Sequence, residues 1–261
     1  MTNSLLKRHD PLINKLLLID ESQSDALLQK LADIDSPTTL AFLNQHAYNL
    51  AQQNLPMRRR FAQMSYLLRD GIGVKIACKL NGRAPRANMN GSDFIPKVID
   101  YLIRTDADRY QFFALGTREP WLSKGARRLF QGHPFHAMDG FQPEESYAQY
   151  VERHCDSNKV PVIVLAMGMP KQEEVAIRIK RELDMPALLI CGGAILDFSA
   201  ERFTRAPLIF RKTGMEWAYR LGKEPKRLFK RYVIGIPKFF YYVGRNGFGQ
   251  GSRDVEQHIT E

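Results

Sequence analysis

The chain has only three cysteines, Cys78, Cys155 and Cys191, far apart and with no CxxC among them. An odd, scattered set excludes a disulfide framework and a cysteine zinc site, and it points to a reducing cytosolic setting. Long apolar runs are missing too. The N-terminal stretch LINKLLLI is interrupted by Lys15, and no run approaches the ~20 apolar residues of a membrane-spanning helix. Neither an export signal nor an integral membrane protein is expected. No G-x-x-x-x-G-K-[ST] loop, no G-x-G-x-x-G and no G-x-S-x-G elbow occurs, so NTPase and dinucleotide chemistry lose support. The six histidines supply no ligand pair on a helix face, and His133 and His136 flank an expected strand. The triplet Asp106-Ala107-Asp108 has a form that holds divalent ions elsewhere. Here it precedes the expected strand 110–116 and so belongs at that strand's N-terminal end, away from the ligand edge of a parallel sheet. No metal and no cofactor are expected.

Acidic residues are scarce in one region. From Glu201 to Arg245, twelve Lys or Arg stand against three Glu, so this segment carries nine of the net ten positive charges. The remainder is nearly neutral, and an anionic partner is implied for the C-terminal quarter.

A chain of 261 residues can bury a sizeable core as one large domain, or as one domain with an appendage. Apolar strand-like runs at 110–116, 160–168 and 186–192 alternate with helical patterns. Between the last two, KQEEVAIRIKREL repeats Val175, Ile179 and Leu183 at helical spacing, which makes a βαβ unit. TTLAFLNQHAYNLAQQ reads as a strand entering a helix, Asp70–Gly73 as a turn, and 91–104 as an amphipathic helix. The expected fold is α/β: a Rossmann-like parallel sheet with helices on both faces over residues 1–200, then a basic helical appendage over 201–261 broken at Pro207, Pro225 and Pro237.

Ligands of such sheets bind beyond the carboxyl ends of the strands. Three loops qualify: GTREP with Gly116 and Thr117; GMPKQEE with Gly168, Pro170, Lys171, Gln172 and Glu173; and CGGAILD with Gly192 and Gly193. The second opens a helix, whose free N–H groups favour an anion, although Glu173 also suits a first helical turn for its charge alone. Asp93, after Gly-Ser and before Pro96, reads first as a helix N-cap. The basic C-terminal segment is threaded with aromatics, so it would suit single-stranded nucleic acid. The strand-end loops argue against that reading.

Taken in order, RDGIGV (69–74), NGSDF (90–94), FFALGTREP (112–120), DGF (139–141), VLAMGMPKQE (164–173), CGGAILDFSAERFTRAP (191–207) and GMEWAYRLGKEPKRLFKRY (214–232) resemble the WecG/TagA/CpsF glycosyltransferases. G-x-P-K-Q-E, and E-W-x-Y-R-L followed by E-P-x-R, are the specific blocks. FLNQHAYNL with NGSDFIP is similar to the exopolysaccharide branch that includes xanthan-type glucosyltransferases. The resemblance implies a metal-independent, inverting transfer of a hexose from a UDP-sugar, UDP-glucose first and an N-acetylmannosamine donor second. The acceptor it implies is a polyprenyl-diphosphate-linked saccharide at the inner face of the cytoplasmic membrane, where the protein would be peripheral. It leaves homo-oligomerisation open and implies no nucleic-acid partner. Asp93 matches the base, and Arg220, Arg227 and Arg231 (or Lys230) match arginines closing on the donor diphosphate. Asn44, Asp70, Gly71, Asn90, Gly116, Gln172 and Glu173 fall on substrate-facing loops. Phe42 replaces a polar residue common in the family, which puts one contact from that loop in doubt.

Overall fold

The structure is a computed structural model that describes residues 10–207, 209–210 and 213–247. Its strands β1 (Thr38–Leu43), β2 (Tyr66–Arg69), β3 (Tyr110–Gly116), β4 (Phe135–Met138), β5 (Val160–Ala166) and β6 (Leu188–Cys191) form one sheet. The order is β2-β1-β6-β5-β3-β4, and every pair is parallel.

Helices α1 (Pro11–Lys15) and α2 (Ser24–Ala32) precede the sheet, while α3 (Gln45–Gln53) and α4 (Leu55–Gln63) connect β1 to β2. Helices α5 (Gly71–Leu80) and α6 (Gly91–Asp106) lead to β3, and α7 (Trp121–Leu129), α8 (Glu144–His154) and α9 (Lys171–Glu182) fill the next three crossovers. After β6 come α10 (Ile195–Ser199), α11 (Glu216–Lys223), α12 (Pro225–Phe229), a π-helical turn (Lys230–Ile234) and α13 (Gly235–Gly247).

The central strands read as continuous apolar runs because both faces of a parallel sheet are covered. Side chains alternate: Leu40 and Phe42 face one way, into a core with α2, α6, α7 and α10. Ala41 and Leu43 face the other, into a core with α3, α4, α8 and α9. Phe239 and Val243 of α13 belong to that second core, and Phe239 meets the Tyr48 ring edge-on at 5.1 Å. The last helix is thus packed on the same core as the sheet. Pro225 sits at the start of α12, separating it from α11 as the sequence led us to expect.

The expected cap of α6 is corrected. Asn90, not Asp93, is the N-cap: its Oδ1 accepts the Asp93 N–H at 3.0 Å, and its amide donates back to Asp93 Oδ2 at 2.8 Å. Asp93 therefore occupies the acidic position of a reciprocal cap. The Asp106/Asp108 triplet lies at the end of α6 and just before β3, on the edge opposite the strand-end loops.

Two glycines are fixed by close approach. Gly116 has φ +149°, and a Cβ there would lie 2.3 Å from the Ala166 carbonyl of neighbouring β5. A Cβ on Gly125 in α7 would lie 2.2 Å from the Leu196 carbonyl oxygen in α10. Ala in place of helical Gly ordinarily stabilises by about 1 kcal/mol. Gly125→Ala should do the reverse, lowering stability by about 1–3 kcal/mol as α7 and α10 are forced apart. Urea unfolding of the variant checks this, and an unchanged or raised midpoint would refute the packing.

Candidate active site

Leu43 at the end of β1 pairs with Arg69 at the end of β2, and these strands finish level. The next residues, Asn44 and Asp70, are brought side by side, with the Asp70 N–H donating to the Leu43 carbonyl at 3.0 Å. Asn44 caps α3 through Oδ1, which accepts the His46 and Ala47 N–H groups, and its amide nitrogen stands 3.4 Å from Asp70 Oδ2. Gly71, at φ +83°, turns the chain from Asp70 into α5. Its N–H donates to Asn88 Oδ1 at 2.8 Å.

Arg69 is buried, and its guanidinium donates to the carbonyls of Pro85 (2.8 Å), Gly71 (3.0 Å) and Arg86 (3.2 Å). Five donors in a rigid fork let one arginine satisfy several carbonyls. The bonds draw the 81–90 loop over the end of β2 and bring Asn88 and Asn90 beside Asp70.

Opposite stands the C-terminal segment, and between the two sides opens a cleft of about 330 Å³. Asn44, Asp70, Asn88, Asn90 and Ser92 line its floor, while Trp217, Arg220, Arg231, Tyr232 and Phe239 line its roof. A π-helical turn admits one extra residue per turn and is frequent at functional sites. Here it leaves Arg231 and Tyr232 on the cleft and Lys230 exposed. Helix α3 holds the turn: the Gln45 amide donates to the Arg231 carbonyl at 3.3 Å and the Asn49 amide to the Gly235 carbonyl at 2.7 Å.

The cleft mixes charge. Arg220 is ion-paired with Glu216 and lies 4.8 Å above the Phe198 ring. Burial raises the Asp70 carboxyl above the usual carboxylate range, and nearby Glu216 adds to the shift. The Asn44 hydrogen bond and the charges of Arg220 and Arg231 oppose it. His46 is pushed down to about 4 by burial and by Arg231, so it is neutral near pH 7.

The other strand-end loops form a second polar group. Thr117 donates its hydroxyl to Asp197 Oδ1 at 2.8 Å, and Arg202 meets the same oxygen at 2.9 Å. The Lys171 ammonium donates to the carbonyls of Gly140 (3.0 Å) and Gln142 (2.6 Å). Gln172 and Glu173 are fully buried. Gln172 Oε1 accepts the Gly193 N–H at 2.9 Å while its amide donates to Glu173 Oε1 at 2.7 Å. The loops with Gly168, Pro170, Gly192 and Gly193 are therefore tied to one another, beside rather than within the cleft lining. Asp93 is outside that lining as well, its carboxylate taken by Arg205 at 2.7 Å and by the Asn90 amide. The side chain of Arg227 lies outside the described residues.

Residues 15–253 match the model of the glycosyl transferase WecG/TagA/CpsF family. The chain belongs to this family. It is an enzyme that transfers a sugar from a donor substrate.

In this glycosyltransferase, the first-loop departure proves internal. Phe42 faces the α2/α6 core rather than the cleft, and a Cβ on Gly91 would come within 3.1 Å of its ring. Sequence reasoning missed Asn88, Ser92, Glu216, Trp217 and Tyr232 as cleft residues. The E-W-x-Y-R-L block contains two of them, Glu216 and Trp217.

One prediction comes from Glu173, whose Oε2 is buried with no hydrogen-bond partner among the described residues. Burial raises its pKa from 4.5 to about 7. Below pH 4.5 both folded and unfolded states keep the proton, and above it the unfolded chain releases its proton first, so stability is lost as pH rises through about 7. Glu173→Gln should remove that loss. Thermal unfolding at about pH 5 and about pH 8 should show the unaltered protein falling behind the variant at the higher pH, and parallel curves would refute it.

Proposed function

We propose that the glycosyltransferase transfers a hexose, UDP-glucose being the favoured donor, to a polyprenyl-diphosphate-linked saccharide with inversion and without a metal ion. An N-acetylmannosamine donor is the second reading within the family. What supports the placement is one observation: a cleft in which a half-buried carboxylate, Asp70, sits opposite Arg220 and Arg231. A carboxylate with a raised pKa suits removal of a proton from an attacking hydroxyl. Two arginines suit a departing UDP, since their planar forks hold phosphate oxygens through paired, charge-assisted hydrogen bonds and stabilise the developing charge. Asp70 is better placed for the base than Asp93, which is held by Arg205 and Asn90 away from the cleft.

The outward side of α12 to α13 supports a peripheral membrane position. Phe229, Val233, Ile234 and Tyr241 are exposed large side chains, flanked by exposed Lys226, Lys230 and Lys238. Apolar groups in the headgroup layer with basic flanks suit an anionic leaflet, each cation adding about 1 kcal/mol. No helix among the described residues is long and apolar enough to cross a membrane.

Three measurements test this reading. Asp70→Asn should lower the rate of sugar transfer ~10²-fold or more with UDP binding retained, whereas Asp93→Asn should chiefly lower the melting temperature. The opposite pattern would return the base role to Asp93. Arg220→Lys and Arg231→Lys should each weaken turnover on a soluble acceptor by about tenfold or more, because a point charge cannot reproduce the fork. Normal turnover in both would leave the roof a membrane anchor only. Transfer should persist in EDTA, and its loss with recovery on adding Mg²⁺ or Mn²⁺ would overturn the arginine account.

A further inference from the structure

The segment from Asp10 to Asp20 touches both sides of the cleft without lining it. At one end, Asp10 is fully buried. Its Oδ1 caps α1 through the Leu12 and Ile13 N–H groups at 2.9 and 3.3 Å. Its Oδ2 accepts the Tyr48 hydroxyl of α3 and the Asn246 amide of α13, the latter at 3.2 Å. That same amide nitrogen lies 2.9 Å from the Tyr48 hydroxyl oxygen and 3.1 Å from Gln52 Oε1. Capping needs one carboxylate oxygen, and a serine would serve. Among the described residues, the second oxygen is satisfied by groups 38 and 236 positions away, and a buried carboxylate is tolerable only when so bonded.

At the other end, the Leu17 N–H donates to the Leu67 carbonyl on edge strand β2 at 2.9 Å. Arg83 donates to the carbonyls of Ile13 and Leu16. The Ala87 N–H donates to the Ile19 carbonyl at 3.0 Å, and Arg86 pairs with Asp20 at 2.8 Å. Apart from Leu67, the residues gripped here belong to the 81–90 loop, which carries Asn88 and Asn90 of the floor. The residue gripped at the first end belongs to α13, which carries Phe239 of the roof.

We infer that Asp10–Asp20 is a brace that sets the separation of floor and roof, with Asp10 and Asn246 as positioning residues acting through α13. Asp10 lies outside the stretch that matches the family model, while Asn246 lies within it, so the brace joins a residue beyond the family's shared region to one inside it. Its effect on substrate rests on the cleft reading above; its mechanical part does not.

Hydrogen–deuterium exchange on the full chain decides the mechanical part. Asp10→Asn keeps the capping oxygen but sets an amide against two donors. Exchange should rise in α13 and through residues 216–234, and not only near residue 10. The exchanged pair Asp10→Asn/Asn246→Asp restores complementarity, because the amide at position 10 donates to the carboxylate at 246, which still accepts the Tyr48 hydroxyl. Gln52 Nε2, buried without a partner among the described residues, gains an acceptor if its amide turns. This pair should return exchange to that of the unaltered protein. With UDP as probe, Asp10→Asn should weaken binding about tenfold, the scale of losing a hydrogen bond to a charged group, and the donor KM should rise with kcat little changed. Arg86→Ala, on the exposed side, should raise exchange in residues 81–90 with little change in melting temperature, and it carries the test with the exchanged pair if Asp10→Asn fails to fold. Exchange confined to the ends of α1 and α3, failure of the exchanged pair to rescue, or a lowered melting temperature with unchanged UDP binding would overturn the brace. If the unaltered protein does not bind UDP, the donor reading fails while the exchange pattern still decides the brace.

Discussion

Parallel strands cannot be joined by hairpins, so every strand of such a sheet delivers its last residue to the same edge. The rest of this enzyme depends on that constraint. It places Asn44 next to Asp70, because β1 and β2 finish level, and Gly116 against Ala166, because β3 and β5 do. Side chains far apart in sequence then meet without long excursions of the chain. The crossover helices add what the edge lacks: N-terminal caps that orient amides, and in α3 the two amides that hold the π-helical turn.

The basic C-terminal segment divides its charge among different tasks. Arg202 and Arg205 are spent on Asp197 and Asp93, fastening the chain that leaves α10 back to α10 and to the start of α6. Arg220 and Arg231 face the cleft. Lys226, Lys230 and Lys238 stay on the outward side. A single figure for net charge hides this division, since an arginine paired with a half-buried carboxylate adds little to the field felt outside.

Much of the framework was legible because burial on both faces leaves a plain sequence signal. The strand at 110–116 and the helix opening at Lys171 are found where periodicity put them. The site was less legible for a different reason. Lys171 has the charge of an anion ligand, yet two of its donors go to backbone carbonyls, and backbone partners leave no mark in a sequence. Arg69 is the converse: a buried cation served entirely by carbonyls, it shapes the floor of the cleft while its strand is only four residues long. Asp93 and Asn90 show how close the two readings of a cap can run, since they bond to each other and only the φ, ψ and direction of bonding tell which one ends the helix.

Phe239 and Val243 share their core with the sheet, while Gln45 and Asn49 hold the carbonyls of Arg231 and Gly235. The segment 231–246 is therefore not a module that natural or laboratory recombination could exchange at a linker. A chimaera that takes its last fifty or so residues from another glycosyltransferase would inherit an α3 written for a different partner. Residues 45–52 and 231–246 form one heritable unit, separated along the gene by about two thirds of the chain.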